Sequence, residues 1–128
     1  MKHKKTRVAV YGSLRQGLHN HKLLKNAGEK LAGACWSEPV YSMYDLGSFP
    51  GIKEGGCTSI SLEIYNVTNE TLDKLDQLEG VSFGLYRKGE INTPFGKALI
   101  YLYGRDVDDR TIIEHGDWME HVTLNATK

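Results

Sequence analysis

The sequence predicts a single domain that mixes strands with helices, an α+β fold. Short apolar residues at 8–10 lead directly into a glycine turn, as expected where a buried strand ends. Leucines recur at every third position within 72–78, which is typical of a helix that packs one face on a sheet. Segments 84–91 and 97–104 flank turn residues at 92–96, the pattern of a β-hairpin. A chain of 128 residues buries about two-thirds of its unfolded surface in one core.

The charge balance disfavours nucleic acid as the main partner. Sixteen basic residues offset sixteen acidic ones, and the basic run at 2–7 is typical of a solvated tail. The apolar stretches fall short of the roughly eighteen residues that span a bilayer, and no signal-peptide pattern is present. We therefore expect a cytoplasmic protein with no membrane partner.

The domain is expected to span residues 1–128, with no internal repeat and no linker. Residues 1–5 are predicted to form a flexible tail. Residues 105–128 show no clear periodicity and are predicted to be a poorly defined C-terminal extension. Trp118 indicates that this extension folds back onto an apolar surface.

The first half of the chain predicts one short helix and further strands. Asn20 is expected to cap a helix that runs through Ala27, with Gly28 as its left-handed terminator. One or two strands are predicted within 29–46, with a break near Pro39.

The middle of the chain predicts a turn, a strand and a longer helix. Pro50-Gly51 fits the two central positions of a type II turn, and a plain surface loop is the alternative. A strand is predicted at 57–67. Asn69 is expected to cap the leucine-striped helix, and Gly80 is expected to end it.

The cysteines and histidines do not have the spacing of a metal site. Cys35 and Cys57 are expected to be reduced and buried, although the sequence leaves a disulfide between them open. His19 and His21 flank Asn20, but no third ligand is nearby, so that no bound metal is expected.

The turn after the first strand is a candidate ligand-binding element. Tyr11-Gly12-Ser13-Leu14 follows the apolar run, and a glycine here lets a ligand approach the backbone. The amides that follow would point into one small volume, which suits a carboxylate or a developing oxyanion. The alternative is that Gly12 and Gly17 only bend the exit of the strand.

Glu79 is an unusual residue for its position. It falls at the C-terminal end of the predicted helix, where unsatisfied carbonyl groups disfavour a negative charge. If its side chain points inward, burial and the helix end both raise its pKa, as a group that exchanges protons near neutral pH requires. The alternatives are a solvated glutamate and an ion pair with Arg87.

These motifs together resemble the γ-glutamylcyclotransferase-like superfamily. The resemblance is carried by Tyr11-Gly12-Ser13-Leu14, by Pro50-Gly51, and by Leu75-Asp76-Gln77-Leu78-Glu79-Gly80 followed by Tyr86-Arg87. The run from Tyr11 to His21 is most similar to the γ-glutamylamine cyclotransferase branch. The resemblance spans about residues 7–104 and does not cover the chain from Arg105 onward.

The resemblance implies a small mixed-sheet, barrel-like domain with flanking helices. It also implies a γ-glutamyl(amine) cyclotransferase, which needs no cofactor and releases 5-oxoproline and a free amine from a small γ-glutamyl substrate. Glu79 would be the general acid and base. Tyr11, Gly12, Ser13 and Leu14 would hold the substrate through their backbone, and the Tyr86 hydroxyl could orient it or simply be buried.

Three alternatives remain open from the sequence. Ser13 could be a nucleophile, although the second glycine of a hydrolase elbow and an acid–histidine pair are not recognisable. The same pocket could belong to a binding module that holds a γ-glutamyl or amino-acid ligand without turning it over. The tail around Trp118 could instead dock a partner protein. The leaving amine and the oligomeric state are not readable from the sequence.

Overall fold

The structure, a computed structural model, describes residues 5–126 of the chain. This range contains eight strands, three α-helices and one 3-10 turn. The strands are β1 (Thr6–Val10), β2 (Lys30–Trp36), β3 (Tyr41–Asp45), β4 (Pro50–Glu54), β5 (Ser61–Val67), β6 (Tyr86–Thr93), β7 (Gly96–Tyr103) and β8 (Thr111–Ile112). The helices are α1 (His21–Asn26), α2 (Asn69–Leu78) and α3 (Trp118–Ala126), and the 3-10 turn covers Val81–Phe83.

The strands form two sheets. The larger sheet has the order β2-β5-β1-β7-β6, and the smaller one has the order β4-β3-β8. In the larger sheet β1 runs parallel to β7 and antiparallel to β5, so the sheet is mixed. This confirms a mixed α+β fold with flanking helices. The strands that the structure describes do not close into a barrel.

The central strands are buried on both faces, which explains why the opening apolar run does not alternate with polar residues. Ala9 packs in one apolar cluster, whereas Val8 and Val10 pack in a second. β5 divides in the same way, with Ile64 in the first cluster and Tyr65 in the second. The carboxyl end of β1 is therefore held rigidly between two layers of core.

Helix α2 forms as predicted, with two corrections: Leu78, the last leucine of the predicted apolar stripe, is 40% exposed, and the N-cap is a different residue. Leu75 is fully buried in the second core cluster, as the leucine spacing predicts. The N-cap is Thr68 and not Asn69, because the Thr68 hydroxyl accepts a hydrogen bond from the backbone N–H of Thr71 at 3.3 Å. Gly80 ends the helix with a φ of +62°, in the left-handed region, as predicted.

Helix α1 is correctly located, but its cap is not formed as predicted. Asn20 directly precedes the helix, yet its side chain makes no capping hydrogen bond. The Asn20 amide donates instead to the Ser13 hydroxyl at 2.8 Å. Gly28 has a φ of +73° and follows the C-cap, which agrees with the predicted terminator.

The predicted type II turn at Pro50-Gly51 is wrong. Strand β4 begins at Pro50, a position where the missing N–H is tolerated. The chain turns four residues earlier, where the Asp45 carboxylate accepts a hydrogen bond from the Gly47 amide at 2.7 Å. Gly51 is required for close packing, because an added Cβ would lie 2.8 Å from the Cβ of Tyr103.

The predicted hairpin is confirmed, and the predicted strand at 57–67 begins four residues later than expected, at Ser61.

Both cysteines are free thiols. Cys35 is partly buried, but Cys57 is exposed, so its predicted burial is wrong. None of the helices described within residues 5–126 is long and apolar enough to cross a membrane.

The segment after β7 packs on the rest of the molecule. Strand β8 pairs with β3, and α3 begins at Trp118. The Trp118 side chain is 3% exposed and lies in the first core cluster. This confirms the prediction that the segment around Trp118 folds back onto an apolar surface.

Candidate active site

A narrow pocket lies where β1 ends against the C-terminal end of α2. Its walls are the turn at 11–14, Phe49 and Pro50 at the start of β4, Glu79, Tyr86 and Tyr101. The free volume is about 30 Å³. That is enough for about two water-sized groups. The structure thus brings together all six residues that the sequence singled out, namely Tyr11, Gly12, Ser13, Leu14, Glu79 and Tyr86.

The turn after β1 presents unused amides. The carbonyl of Gly12 accepts a hydrogen bond from Arg15 N at 3.0 Å, and the carbonyl of Ser13 accepts one from Asn20 N at 2.9 Å. Within residues 5–126, no hydrogen bond uses the amides of Gly12, Ser13 or Leu14 as donors. Backbone N–H groups without a protein acceptor at a pocket wall are available to an anionic ligand.

Gly12 is needed for space rather than for an unusual backbone angle. Its φ is not positive, in contrast to that of Gly17 at +86°. A Cβ at position 12 would lie 2.9 Å from Cδ of Pro50. The turn and β4 can approach each other at the pocket only because position 12 has no side chain.

A buried network of hydrogen bonds and ion pairs fixes the position of the turn at 11–14 through the residues that follow it. Glu63 on β5 is 7% exposed and accepts hydrogen bonds from Gln16 N at 2.9 Å and from the Tyr65 hydroxyl at 3.0 Å. Its other carboxylate oxygen pairs with Arg15 Nε at 3.2 Å. Arg15 also binds Asp117 at 2.7 Å, just before α3. The loop is thereby tied to both β5 and α3.

The carboxyl of Glu79 has no hydrogen-bond or ion-pair partner among the residues that the structure describes. Glu79 is the C-cap of α2, and its backbone N–H donates to Leu75 O at 2.9 Å. Burial raises the pKa of the Glu79 carboxyl to about 7. The alternative pairing with Arg87 is wrong, because Arg87 lies 2.8 Å from Glu54 instead. The side chain is partly buried and lines the pocket, so it is not freely solvated.

The tyrosines of the pocket use their hydroxyls on protein acceptors. Tyr11 donates to Tyr101 O at 2.6 Å, and Tyr86 donates to Pro50 O at 2.6 Å. Tyr101 donates to the Asp76 carboxylate at 2.7 Å. Burial, the largest cause, raises the pKa of all three phenols. They therefore stay neutral, and the Tyr86 hydroxyl has a structural partner already.

Among the described residues, no base is hydrogen-bonded to the Ser13 hydroxyl. This hydroxyl accepts a hydrogen bond from the Asn20 amide, and His21 is bound through Nδ1 to Leu14 O at 2.9 Å. A serine nucleophile needs a base within hydrogen-bond reach. Among the residues described, no cluster of three or more His, Cys, Asp or Glu side chains could hold a metal ion.

Sequence reasoning does not identify several residues of the site. Tyr101 and Phe49 line the pocket, and Arg15 and Glu63 support the turn. A charged residue in the apolar strand β5 is the one signal that points to Glu63. Its partner lies 48 residues away in the sequence, and no local pattern links the two.

The fold and the pocket define a γ-glutamylcyclotransferase-like domain. The model of the family described as "Gamma-glutamyl cyclotransferase, AIG2-like" matches residues 8–120. The chain therefore belongs to this family. The match extends beyond the segment 7–104 that resembles the family by its motifs, and it includes β8 and the start of α3.

Bacterial and archaeal relatives share nearly the whole chain. A Vibrio cholerae protein named "Putative gamma-glutamylcyclotransferase" is 43% identical over 115 residues, which cover 90% of this chain and 96% of that protein. The Escherichia coli gamma-glutamylcyclotransferase family protein YtfP is 40% identical over 114 residues, covering 89% and 96%. The crystal structure of an uncharacterised Pyrococcus horikoshii protein superimposes with a TM-score of 0.79 at 33% identity, covering 95% and 97%.

Proposed function

We propose that this protein is a γ-glutamyl(amine) cyclotransferase that converts a γ-glutamyl substrate into 5-oxoproline and a free amine. The observation that carries the proposal is the position of Glu79. An unpaired carboxyl with a pKa of about 7 shares a narrow pocket with the free amides of the β1 turn. Membership of the family supports the same class of reaction.

The reaction is an intramolecular aminolysis. The α-nitrogen of the substrate attacks its own γ-carbon and closes a five-membered ring, and the bond from the γ-carbon to the leaving nitrogen breaks. Glu79 accepts a proton from the α-ammonium, which frees the amine to attack, and returns this proton to the leaving nitrogen. The second proton, which the α-nitrogen loses as the ring closes, passes through the same carboxyl to the released amine, which departs as an ammonium, so that the carboxyl ends as it began. The reaction balances without a metal, a nucleotide or a covalent intermediate.

The raised pKa reduces the cost of the first proton transfer. An ordinary α-amino group has a pKa of about 7.7–8.0, roughly 3.5 units above an unperturbed glutamate, which corresponds to about 5 kcal/mol. With the pKa of Glu79 at about 7, the difference is about one unit, or about 1.4 kcal/mol. The same carboxyl remains acidic enough to protonate a departing amine.

The turn residues have a separate task. The amides of Gly12, Ser13 and Leu14 either hold the α-carboxylate of the substrate or stabilise the oxyanion that develops on the γ-carbon. Tyr11 fixes the turn through its bond to Tyr101 O, and the Tyr86 ring closes the pocket wall.

The test is a panel of γ-glutamyl amines and γ-glutamyl dipeptides incubated with the protein while 5-oxoproline is measured. We expect release of 5-oxoproline, and we expect Glu79→Gln to reduce kcat by about 10²–10⁴-fold with substrate binding retained. The matched control is Glu70→Gln, an exposed glutamate on the same helix, which should retain full activity.

Two results would contradict the proposal. Full activity of Glu79→Gln would remove this carboxyl from the mechanism. Tight binding of γ-glutamyl compounds with no 5-oxoproline from any of them would identify a binding module instead.

A further inference from the structure

The first residues of α1 reach back to the turn that follows β1. Two tight turns within residues 15–21 return the chain to Leu14. His21 Nδ1 then lies 2.9 Å from Leu14 O, and Asn20 N donates a hydrogen bond to Ser13 O at 2.9 Å. The proposed reaction uses the amides of this turn but gives these two contacts no role.

The contact with Leu14 determines which ring nitrogen of His21 carries a hydrogen. A carbonyl oxygen can only accept, so His21 Nδ1 is the donor, in the neutral imidazole as well as in the imidazolium. The imidazole is partly buried, and its ring lies 6.0 Å from the ring of Tyr65 between centroids. Leu14 is 3% exposed, so its carbonyl relies on a protein donor rather than on water.

The contact from Asn20 determines where one amide of the turn points. A peptide unit is planar and trans, so that its C=O and its N–H point in opposite directions. Since Asn20 N holds the C=O of Ser13, the N–H of Leu14 in the same peptide unit points away from Asn20. This N–H is one of the three that the proposed reaction assigns to the substrate.

The contact from His21 acts on a second amide through one further bond. Because the imidazole holds the C=O of Leu14, the N–H of Arg15 points away from the imidazole and donates to Gly12 O at 3.0 Å. With the C=O of Gly12 held in this way, the N–H of Ser13 points in the opposite direction, where it is available to a ligand. Loss of the imidazole donor would free the peptide unit after Leu14 to rotate and would weaken the bond to Gly12 O.

We propose that His21 is a positioning residue, whose Nδ1–H orients the Ser13 amide toward the γ-glutamyl group while the backbone of Asn20 orients the Leu14 amide. This inference rests on the proposed function and adds to it a residue that acts on the substrate through the turn. The described lining of the pocket does not include His21. An effect of its replacement on catalysis therefore arises through the backbone of the turn.

Two substitutions separate the hydrogen-bond donor from the aromatic ring. His21→Phe keeps a ring beside Tyr65 but has no N–H, whereas His21→Asn gives up the ring and places an amide donor close to the position of Nδ1. The substrate is the γ-glutamyl compound of the panel that the wild type turns over fastest. We expect His21→Phe to lower kcat/KM by about tenfold or more and His21→Asn to stay within about threefold of the wild type.

The matched control is Lys22→Asn, the same replacement at the next residue of α1, which is exposed and should retain full activity. All rates are expressed per folded protein, with the folded fraction of each variant measured by circular dichroism. Catalysis that follows the ring, with His21→Phe active and His21→Asn impaired, would overturn the proposal. Equal effects of the two substitutions would overturn it as well, because the donor would then make no difference.

A second measurement requires neither catalysis nor a variant. In long-range ¹H–¹⁵N correlation spectra of the wild type at alkaline pH, where an imidazole is neutral, we expect His21 to carry its hydrogen on Nδ1. A hydrogen on Nε2 would contradict the proposal, because Nδ1 would then have none to donate. If the wild type forms no 5-oxoproline, the proposed function fails, whereas the tautomer still decides whether His21 orients the turn.

Discussion

At the scale of single residues, the chemistry depends on the Glu79 side chain being partly buried and on its carboxyl having no partner among the described residues. Most buried carboxylates have an ion-pair or hydrogen-bond partner, as Glu63 has in the Arg15 guanidinium and the Tyr65 hydroxyl. Glu79 has no such donor among the described residues, and burial raises its pKa instead. A carboxyl in this environment can accept and return a proton at neutral pH.

The same burial makes the stability of the folded protein depend on pH. Between the unfolded pKa of 4.5 and the folded pKa of about 7, the folded state binds more protons at Glu79 than the unfolded state does. The free energy of unfolding therefore falls as the pH rises through this window, by up to about 3 kcal/mol.

Glu79→Gln should remove this penalty. In urea unfolding we expect the variant to be more stable than the wild type at about pH 8 and to gain much less at about pH 4. Glu70→Gln controls for an exposed carboxyl on the same helix. An identical difference from wild type at both pH values would show that Glu79 does not titrate in this window.

At the scale of the elements, the site depends on three pieces of backbone that meet at one point. Strand β1 delivers the turn, α2 delivers Glu79 at its C-terminal end, and β4 closes the pocket through Pro50. The turn contributes amides rather than side chains, so its position must be fixed by other contacts. Glu63 provides these contacts through its bonds to Arg15 and to the Gln16 amide, directly after the turn.

Glu63→Gln should loosen the turn. We expect a loss of about 2–3 kcal/mol in the free energy of unfolding, because Arg15 loses its charged partner on β5. KM should rise more than kcat falls, since the amides of the turn become less well ordered while Glu79 is unchanged. Glu90→Gln on the exposed face of β6 is the control. Unchanged stability and unchanged KM would mean that the network does not position the turn.

At the scale of the whole molecule, the segment after β7 is part of the core. Trp118 lies in the first apolar cluster, and Asp117 beside it binds the arginine of the turn. Although burial alone would raise the pKa of Asp117, the charge and hydrogen bond of Arg15 together with hydrogen bonds from backbone amides of α3 lower it overall. The C-terminal helix thus connects the core to the candidate site.

Trp118→Ala should destabilise the protein by about 3–5 kcal/mol, because it leaves a large cavity in the core. Trp36 on β2, which is 56% exposed, is the matched control. Trp36→Ala should lower the free energy of unfolding much less. Urea unfolding followed by circular dichroism measures both. Equal and small losses in the two variants would show that α3 does not pack as described.

The sequence predicts those parts of the molecule that local patterns determine. The leucine period of α2, the hairpin of β6 and β7, and the position of Glu79 next to Gly80 all follow from short-range spacing. Strand β4 could not be predicted, since Pro50-Gly51 is typical of turns and its strand conformation comes from pairing with β3, with Gly51 leaving room for Tyr103. The support of the turn by Glu63 depends on residues far apart in the sequence.

A carboxyl ¹³C NMR titration of the wild-type protein, with the Glu79 signal assigned by its loss in Glu79→Gln, decides whether Glu79 carries the proton. We expect this carboxyl to titrate near pH 7. We also expect its signal to shift when a γ-glutamyl ligand occupies the pocket. A midpoint near the ordinary value of about 4.3, with no response to the ligand, would contradict the assignment of Glu79 as the proton carrier.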